Sequence, residues 1–392
     1  MKPGTKVETA FVYSPHLSDY QLSESHPFKP IRLELTRSLL HHADLLEEAQ
    51  EVHPEPFSEA QLCTLHDPHY VEVVKAVSRG ESVKDAYSHG LGTSDNPIFP
   101  GMHDAILGIC AATATAVDLV ASGEVKRATN ISGGLHHAVR GKMSGFCTYN
   151  DLALGIEQAI RNYGVRVAYI DLDAHHGDGV QWLFYERAEV MTLSMHESGR
   201  YLFPGTGHTY EIGKDAGRGL SVNMPLEPFT EDDSYMECFE AIVPRALEVF
   251  KPDLIVLQAG ADMHYNDPLA DLALSTKGIG ESYRRVSELA DEFCEGRLVA
   301  TGGGGYDPYR TVPRVWSLLW GAVSRQEVPQ EVPQTWLEQW QPQSSETLTK
   351  TFQDDLTQWE PIPRREQIET HNRAVIRRLL NTLEPIWEER FS

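Results

Sequence analysis

No run of about eighteen consecutive apolar residues occurs in the 392-residue sequence, so no membrane-spanning helix is expected. The N-terminal MKPGTKVETAFVYS holds too short an apolar segment for a secretory signal and leads into an expected strand. Cysteine is scarce: Cys63, Cys110, Cys147, Cys238 and Cys294 are scattered, odd in number and without C-x-x-C spacing. That argues against a disulfide framework and for a reducing compartment, with a cytoplasmic location as the expectation. Basic side chains are in deficit, 34 Lys and Arg against 57 Asp and Glu, for a formal charge of -23. A field of that sign repels phosphate backbones and anionic membrane surfaces, so neither nucleic acid nor membrane is an expected partner. It attracts basic ligands, although plain solubility accounts for it equally well. Internal repeats and phosphate loops are missing too. The longest glycine run, residues 302–305, has no G-K-[ST] after it and no G-x-G-x-x-G spacing.

What is present is a globular composition, 41% hydrophobic and 23% charged, long enough for a large core. Short aliphatic runs read as buried strands at 8–14, 165–170, 190–195, 253–258 and 297–301. Helix-length segments separate them. Residues 101–123 are alanine-rich and stop at Gly123, and 152–164 stop at Gly164. The segment 230–250 opens with Thr230 as N-cap, and Pro244 is expected to kink or split it. Another helix is expected to start at Ser275. Continuous apolar strands alternating with helices indicate an α/β fold. We expect a doubly wound, mainly parallel sheet flanked by helices, in one domain over residues 1–325. Residues 326–392 read as an extension, irregular at first. Its last part, 365–387, sets Ile368, Val375, Leu379 and Leu383 at helical spacing. A helix packed on the core is expected there, with an oligomer contact as the alternative.

Four polar stretches fall where strands end: SGGLHHA (132–138), DLDAHHGDG (171–179), GADMHYNDP (260–268) and GGGGY (302–306). Doubly wound sheets bind ligands outside the carboxyl ends of their strands, so four such stretches on one rim mark a site. Asp173 and His175 are two apart and point the same way on an extended segment. With Asp267, which follows the strand at 253–258, they make a metal set with one position open, the habit of a catalytic zinc centre. Zn2+ is the expected ion, and such a site also accepts Fe2+. Cys147 is a softer rival that reads as packing. His136 and His137 are adjacent, and Asp171 and Asp178 remain to back imidazoles and fix their tautomers. Adjacent imidazoles titrate as a pair, one neutral and one protonated, and so offer a general base beside an electrostatic helper. His176 reads as a brace for its loop. Tyr306 ends the glycine run, and its phenol suits an oxyanion donor; a lid residue is the plainer reading.

Together with ESHPFKPIR (24–32), SGFCTYND (144–151) and FPGTG (203–207), these stretches stand in the order found in zinc-dependent histone deacetylases and their bacterial relatives. The chain resembles that family over about residues 10–325. GLGTSDNPIFPGMHDA (90–105) and HESGRYLFPGTG (196–207) resemble its acetoin-utilisation branch. The resemblance implies an arginase-like α/β fold and hydrolysis of acetyl-lysine to lysine and acetate. It implies Asp173, His175 and Asp267 as zinc ligands and His137 as general base and general acid, with His136 as its electrostatic partner. Asp171 and Asp178 back the two histidines, and Tyr306 polarises the acetyl carbonyl. The resemblance further implies K+ near Asp171, Asp173, His175 and Ser194, and a tunnel wall from Gly145 and Phe146. Asp95 is expected to grip the substrate backbone and Arg32 to line an inner channel for acetate. One departure stands out. The second wall aromatic is expected two residues after His196, where this sequence has Ser198, leaving Tyr201 or another group to fill the wall, or a wider mouth.

The implied partner is an acetylated protein, in particular a metabolic enzyme such as an acyl-CoA synthetase, or a small acetylated amine. An acetylpolyamine deacetylase is the alternative with the same site. A catalytically silent acetyl-lysine binder is expected to lack Tyr306 or a metal ligand, and neither is missing. A binuclear manganese ureohydrolase needs more bridging carboxylates, and Asp262 and His264 are the obvious spares.

Overall fold

Eight parallel strands form one sheet in the computed structural model of the chain, which describes residues 8–391. The first seven residues, part of the segment read above for a secretory signal, lie outside the described residues. The strands are β1 (Thr9–Val12), β2 (Glu51–Val52), β3 (Arg127–Asn130), β4 (Val167–Asp171), β5 (Val190–Glu197), β6 (Ser221–Leu226), β7 (Leu254–Gln258) and β8 (Leu298–Thr301). Their order is β2-β1-β3-β8-β7-β4-β5-β6. The five expected strands form. The other three were hidden by length or polarity: β2 has two residues, while β3 and β6 carry buried Arg127, Asn130 and Asn223. Those polar groups are tolerated because they are paired, Arg127 with Asp291 at 2.7 Å and Asn223 Nδ2 with Gln181 Oε1 at 2.7 Å.

The helices are α1 (Ile31–His42), α2 (Glu59–Leu62), α3 (Pro68–Ser78), α4 (Met102–Ala121), α5 (Asp151–Tyr163), α6 (Asp178–Phe184), α7 (Asp232–Phe250), α8 (Thr276–Cys294), α9 (Val312–Ser324), α10 (Gln334–Trp340) and α11 (Arg365–Phe391). By length and composition α4 meets the requirement for crossing a membrane, contrary to the expectation from consecutive apolar residues. Its small side chains, Ala112, Ala114 and Ala116 among them, are instead buried where it packs on α5 and β3. Pro244 neither ends nor splits α7, because Phe239, Val243, Ala246 and Leu247 are buried along one face. The α7 N-cap is Glu231 rather than Thr230, which uses its hydroxyl on Glu227 O. Ser275 caps α8 as expected, its side chain accepting from Gly278 N.

The chain after α9 stays close to the body. Trp336 and Trp340 of α10 bury against Leu35 and Leu39 of α1, and Trp336 Nε1 donates to Leu35 O at 3.2 Å. The helix α11 packs on α7 and β6 through Val375, Leu379, Leu383 and Trp387. Four residues more than expected are helical at its end.

Candidate active site

The sheet register puts one row of polar residues across its carboxyl edge: Asn130, Thr301, Gln258, Asp171, Ser194 and Asn223 are successive partners. All six are buried. Buried polar groups need partners, and this row finds them in the loops that leave the strands. Gln258 Nε2 donates to Asp173 Oδ2 at 2.7 Å, and Gly304 N donates to the same oxygen at 2.7 Å. Asp151, just after Asn150, accepts from Gly134 N and Leu135 N at 3.1 and 2.8 Å and holds the histidine-bearing loop. Sequence reading missed Gln258 and Asp151, since neither sits in a charged cluster.

His136 and His137 are both buried, and each has its own carboxylate. His136 Nδ1 lies 2.8 Å from Asp171 Oδ2, and His137 Nδ1 lies 2.6 Å from Asp178 Oδ1. Their Nε2 atoms meet at 3.1 Å. Burial alone lowers both rings, but the charges of Asp171 and Asp173 outweigh it at His136 and lift it to about 9. At His137 burial and the neighbouring His136 charge together lower it to about 4. At neutral pH His136 is therefore the cation and His137 the neutral base, the split expected of adjacent imidazoles.

Three carboxylates gather around His175. Its Nδ1 lies 3.1 Å from Asp173 Oδ1 and 2.9 Å from Asp262 Oδ2. Burial lowers His175, yet its hydrogen bonds with these two acids outweigh that and hold it well above the usual imidazole range. Asp262 is raised by burial and by the Asp173 charge, and Asp267 by burial and the Asp262 charge. One imidazolium cannot balance three buried acids, and a divalent cation in place of its proton offsets more of their charge. This donor set therefore fits a divalent metal with a position left open for chemistry.

The expected third ligand is placed differently from its partners. Asp267 is buried and turns its oxygens to Leu269 N and Tyr306 N at 2.9 and 2.8 Å. The ligand atoms within 4.8 Å of one another are those of Asp173, His175 and Asp262. Asp262, only a spare in the sequence, is brought in because the β7 loop folds back to let its Oδ1 accept from Ala174 N at 2.9 Å.

Aromatic rings enclose this centre. Gly145 has φ +49°, and a Cβ there would lie 2.3 Å from His137 Cδ2 and 2.9 Å from Phe203 Cε1. Phe146 follows at φ +71°, held by Asn96 Oδ1 on its N–H at 3.0 Å and Tyr20 OH on its carbonyl at 2.7 Å. Such strain persists only where surroundings fix it. The Phe146 ring is edge-on to Tyr306 at 6.0 Å and to His26 at 4.4 Å. The Phe203 ring meets His137 edge-on at 5.0 Å. Ser198 is buried and Tyr201 is exposed. Of the groups left open by Ser198, the ring that lies against His137 is the FPGTG phenylalanine, which follows the turn at 198–202.

Tyr306 is raised well above its ordinary range, chiefly by burial and then by Asp262, so its phenol keeps its proton. Arg32 lies behind the glycine run, donating to Gly305 O at 3.0 Å, with its guanidinium over Phe28 and Trp316. Its Nε is buried without a hydrogen-bond partner. Asp95 is exposed at the rim, and its carbonyl contacts His26 Nε2 at 3.2 Å. Ser194 hydrogen-bonds His196 Nδ1 at 2.8 Å. His176 bonds Thr206 and Gln181, as a brace does, and Cys147 is buried packing with its thiol on Gly145 O.

The histone deacetylase domain family matches residues 26–323. The acetoin utilization protein AcuC of Bacillus subtilis is 41% identical over 374 residues, 95% of this chain and 97% of that one. The AcuC of Staphylococcus xylosus is 36% identical over 378 residues, 96% and 98% of the two chains. Among solved structures, an HDAC homolog complexed with SAHA superposes with TM-score 0.83 at 29% identity, covering 94% of this chain and 100% of its own. An HDAC homolog from Aquifex aeolicus gives TM-score 0.82 at 28% identity with the same coverage. With the arginase/deacetylase-like fold, a histone deacetylase domain over most of the chain and AcuC relatives along nearly its full length, this protein belongs to the histone deacetylase family, in its AcuC-like branch, and is a deacetylase.

Proposed function

We propose that the protein hydrolyses acetyl-lysine on a metabolic enzyme, such as an acyl-CoA synthetase. The observation that carries this reading is the buried His136–His137 pair, each ring backed by its own aspartate, with Phe203 against His137 and Phe146 against Tyr306. Aromatic rings near the histidine pair suit the aliphatic stem of an acetylated lysine, and the exposed Asp95 suits the N–H groups of the backbone that carries it. Relatives named for acetoin utilization favour a metabolic substrate.

When bound, a divalent ion supplies Lewis-acid chemistry, polarising the acetyl carbonyl and acidifying water. Asp173, His175 and Asp267 would hold it, with Asp262 beside them as the spare carboxylate. Zn2+ is the first choice and Fe2+ the second. His137 Nε2 takes the proton of the attacking water, and His136 keeps its positive charge beside the developing negative charge. Tyr306 donates its hydroxyl to the carbonyl oxygen as it becomes an oxyanion. His137 then returns the proton to the lysine nitrogen as the C–N bond breaks, and acetate leaves past Arg32. K+ near Asp171, Asp173, His175 and Ser194 belongs to the same reading. So do a catalytic unit ending near residue 325 and a cytoplasmic location, which suits five unpaired cysteines.

The test is turnover of acetyl-lysine peptides and acetylated polyamines by protein of measured metal content. Efficient turnover of polyamines alone would overturn the substrate. Asp267→Asn should lose metal and Asp262→Asn retain it; the reverse result would move the third ligand to Asp262.

A further inference from the structure

Far along the chain from the metal-binding motifs, a second set of metal donors converges on the surface. His69 is the second residue of α3, while Asp85 and His89 bracket the 3-10 turn Ala86–His89. One ligand atom from each lies within 4.8 Å of the others. Both imidazoles address the same oxygen: Asp85 Oδ2 is 3.0 Å from His69 Nε2 and 3.7 Å from His89 Nε2. At zinc–ligand distances near 2.0–2.2 Å, tetrahedral ligand atoms stand about 3.3 Å apart. The two observed spacings straddle that value.

The orientation of His89 is that of a metal ligand. Its Nδ1 donates to Gly141 O at 2.7 Å, which fixes the hydrogen on that nitrogen. Nε2 is then the ring nitrogen turned toward Asp85 and available to an ion. A backbone carbonyl behind a histidine is the usual support of a metal ligand. His89 is fixed further by Met143 N on its carbonyl at 2.9 Å. His69 is placed by its N–H on Asp67 Oδ1 at 2.8 Å. His69 and Asp85 are open to solvent, with side-chain exposures of 66% and 46%, so an ion can enter.

We propose that His69, Asp85 and His89 form a second site for a borderline divalent ion, zinc or a neighbour such as nickel or copper. Water completes its coordination. Two imidazoles in a set of three select against magnesium and calcium, which take oxygen ligands. An ion here joins α3 to the 3-10 turn. Through Gly141 it also reaches the segment between His137 and Phe146.

Bound zinc should be counted by plasma emission after dialysis of the full chain against Zn2+. His69→Ala and Asp85→Asn should each hold one equivalent less than the parent, with kcat unchanged at saturating metal. The same variants should lose the extra rise in Tm that Zn2+, but not Mg2+, gives the parent. Because the comparison is between surface variants, it reads the second site whether or not the deacetylase reading of the first holds. Equal zinc content in the parent and both variants would overturn the proposal, as would equal displacement of the ion by Mg2+.

Discussion

His136 and His137 meet nitrogen to nitrogen at 3.1 Å, yet the acids behind them hold one as a cation and leave the other neutral. A base must be unprotonated to act, so kcat/KM should fall on the acid side as His137 gains its proton. The helper must stay charged, so it should fall on the alkaline side as His136 loses its own. His137→Ala should abolish turnover, whereas His136→Asn should be milder and remove the alkaline limb. Profiles at equal metal occupancy check this; identical losses in both variants at every pH would mean the pair acts as one unit.

Tyr306→Phe removes a hydroxyl that matters chiefly as charge develops on the carbonyl oxygen. Loss of one such donor lowers kcat by about 10²–10³. KM should stay near the parent value. A large rise in KM with kcat kept would instead make Tyr306 a binding residue.

Gly145→Ala sets a methyl 2.3 Å from His137 Cδ2 at a backbone angle that side chains disfavour. Activity should fall by more than about tenfold even where circular dichroism shows a folded chain. Phe203→Ala should raise KM for acetyl-lysine peptides about tenfold, or about 1.4 kcal/mol of lost contact, with kcat kept.

Asp354 reaches from the C-terminal extension to His264 Nε2 at 2.9 Å and Arg314 at 2.9 Å, and His264 O accepts from Asp267 N at 2.8 Å. Burial raises Asp354, but His264 and Arg314 outweigh it and hold it well below the usual carboxylate range. Its stabilisation is therefore present above the unfolded value of about 3.9 and lost as pH falls below it. Asp354→Ala should destabilise by on the order of 3–5 kcal/mol at neutral pH. The gap in denaturation midpoints between variant and parent should shrink toward pH ~3; a gap constant with pH would count against the ion-pair account.

Chelation should abolish deacetylation, and Zn2+, Fe2+ or Co2+ should restore it. Loss of an ion held at a thousandfold excess over its Kd also lowers stability by about 4 kcal/mol, seen as a fall in Tm. Full activity in protein verified as metal-free would end the mechanism.

Sequence alone determined the alternation of apolar strands with helices and the placing of charged groups at strand ends, because both are properties of neighbours along the chain. The same locality let Asp173 and His175 be read as a pair, and His136 and His137 as an unequal couple. It failed where polarity interrupted a strand, as in Arg127–Asn130, whose partner Asp291 lies far along the chain. It failed again at Phe203, since no spacing rule says that a turn will carry that ring onto His137. Only the tertiary structure decided that Asp262 shares His175 with Asp173, that Gln258 braces the metal set and that Asp354 pins its loop. These contacts join segments distant in sequence. Burial gives them their strength by removing the water that would otherwise screen each charge.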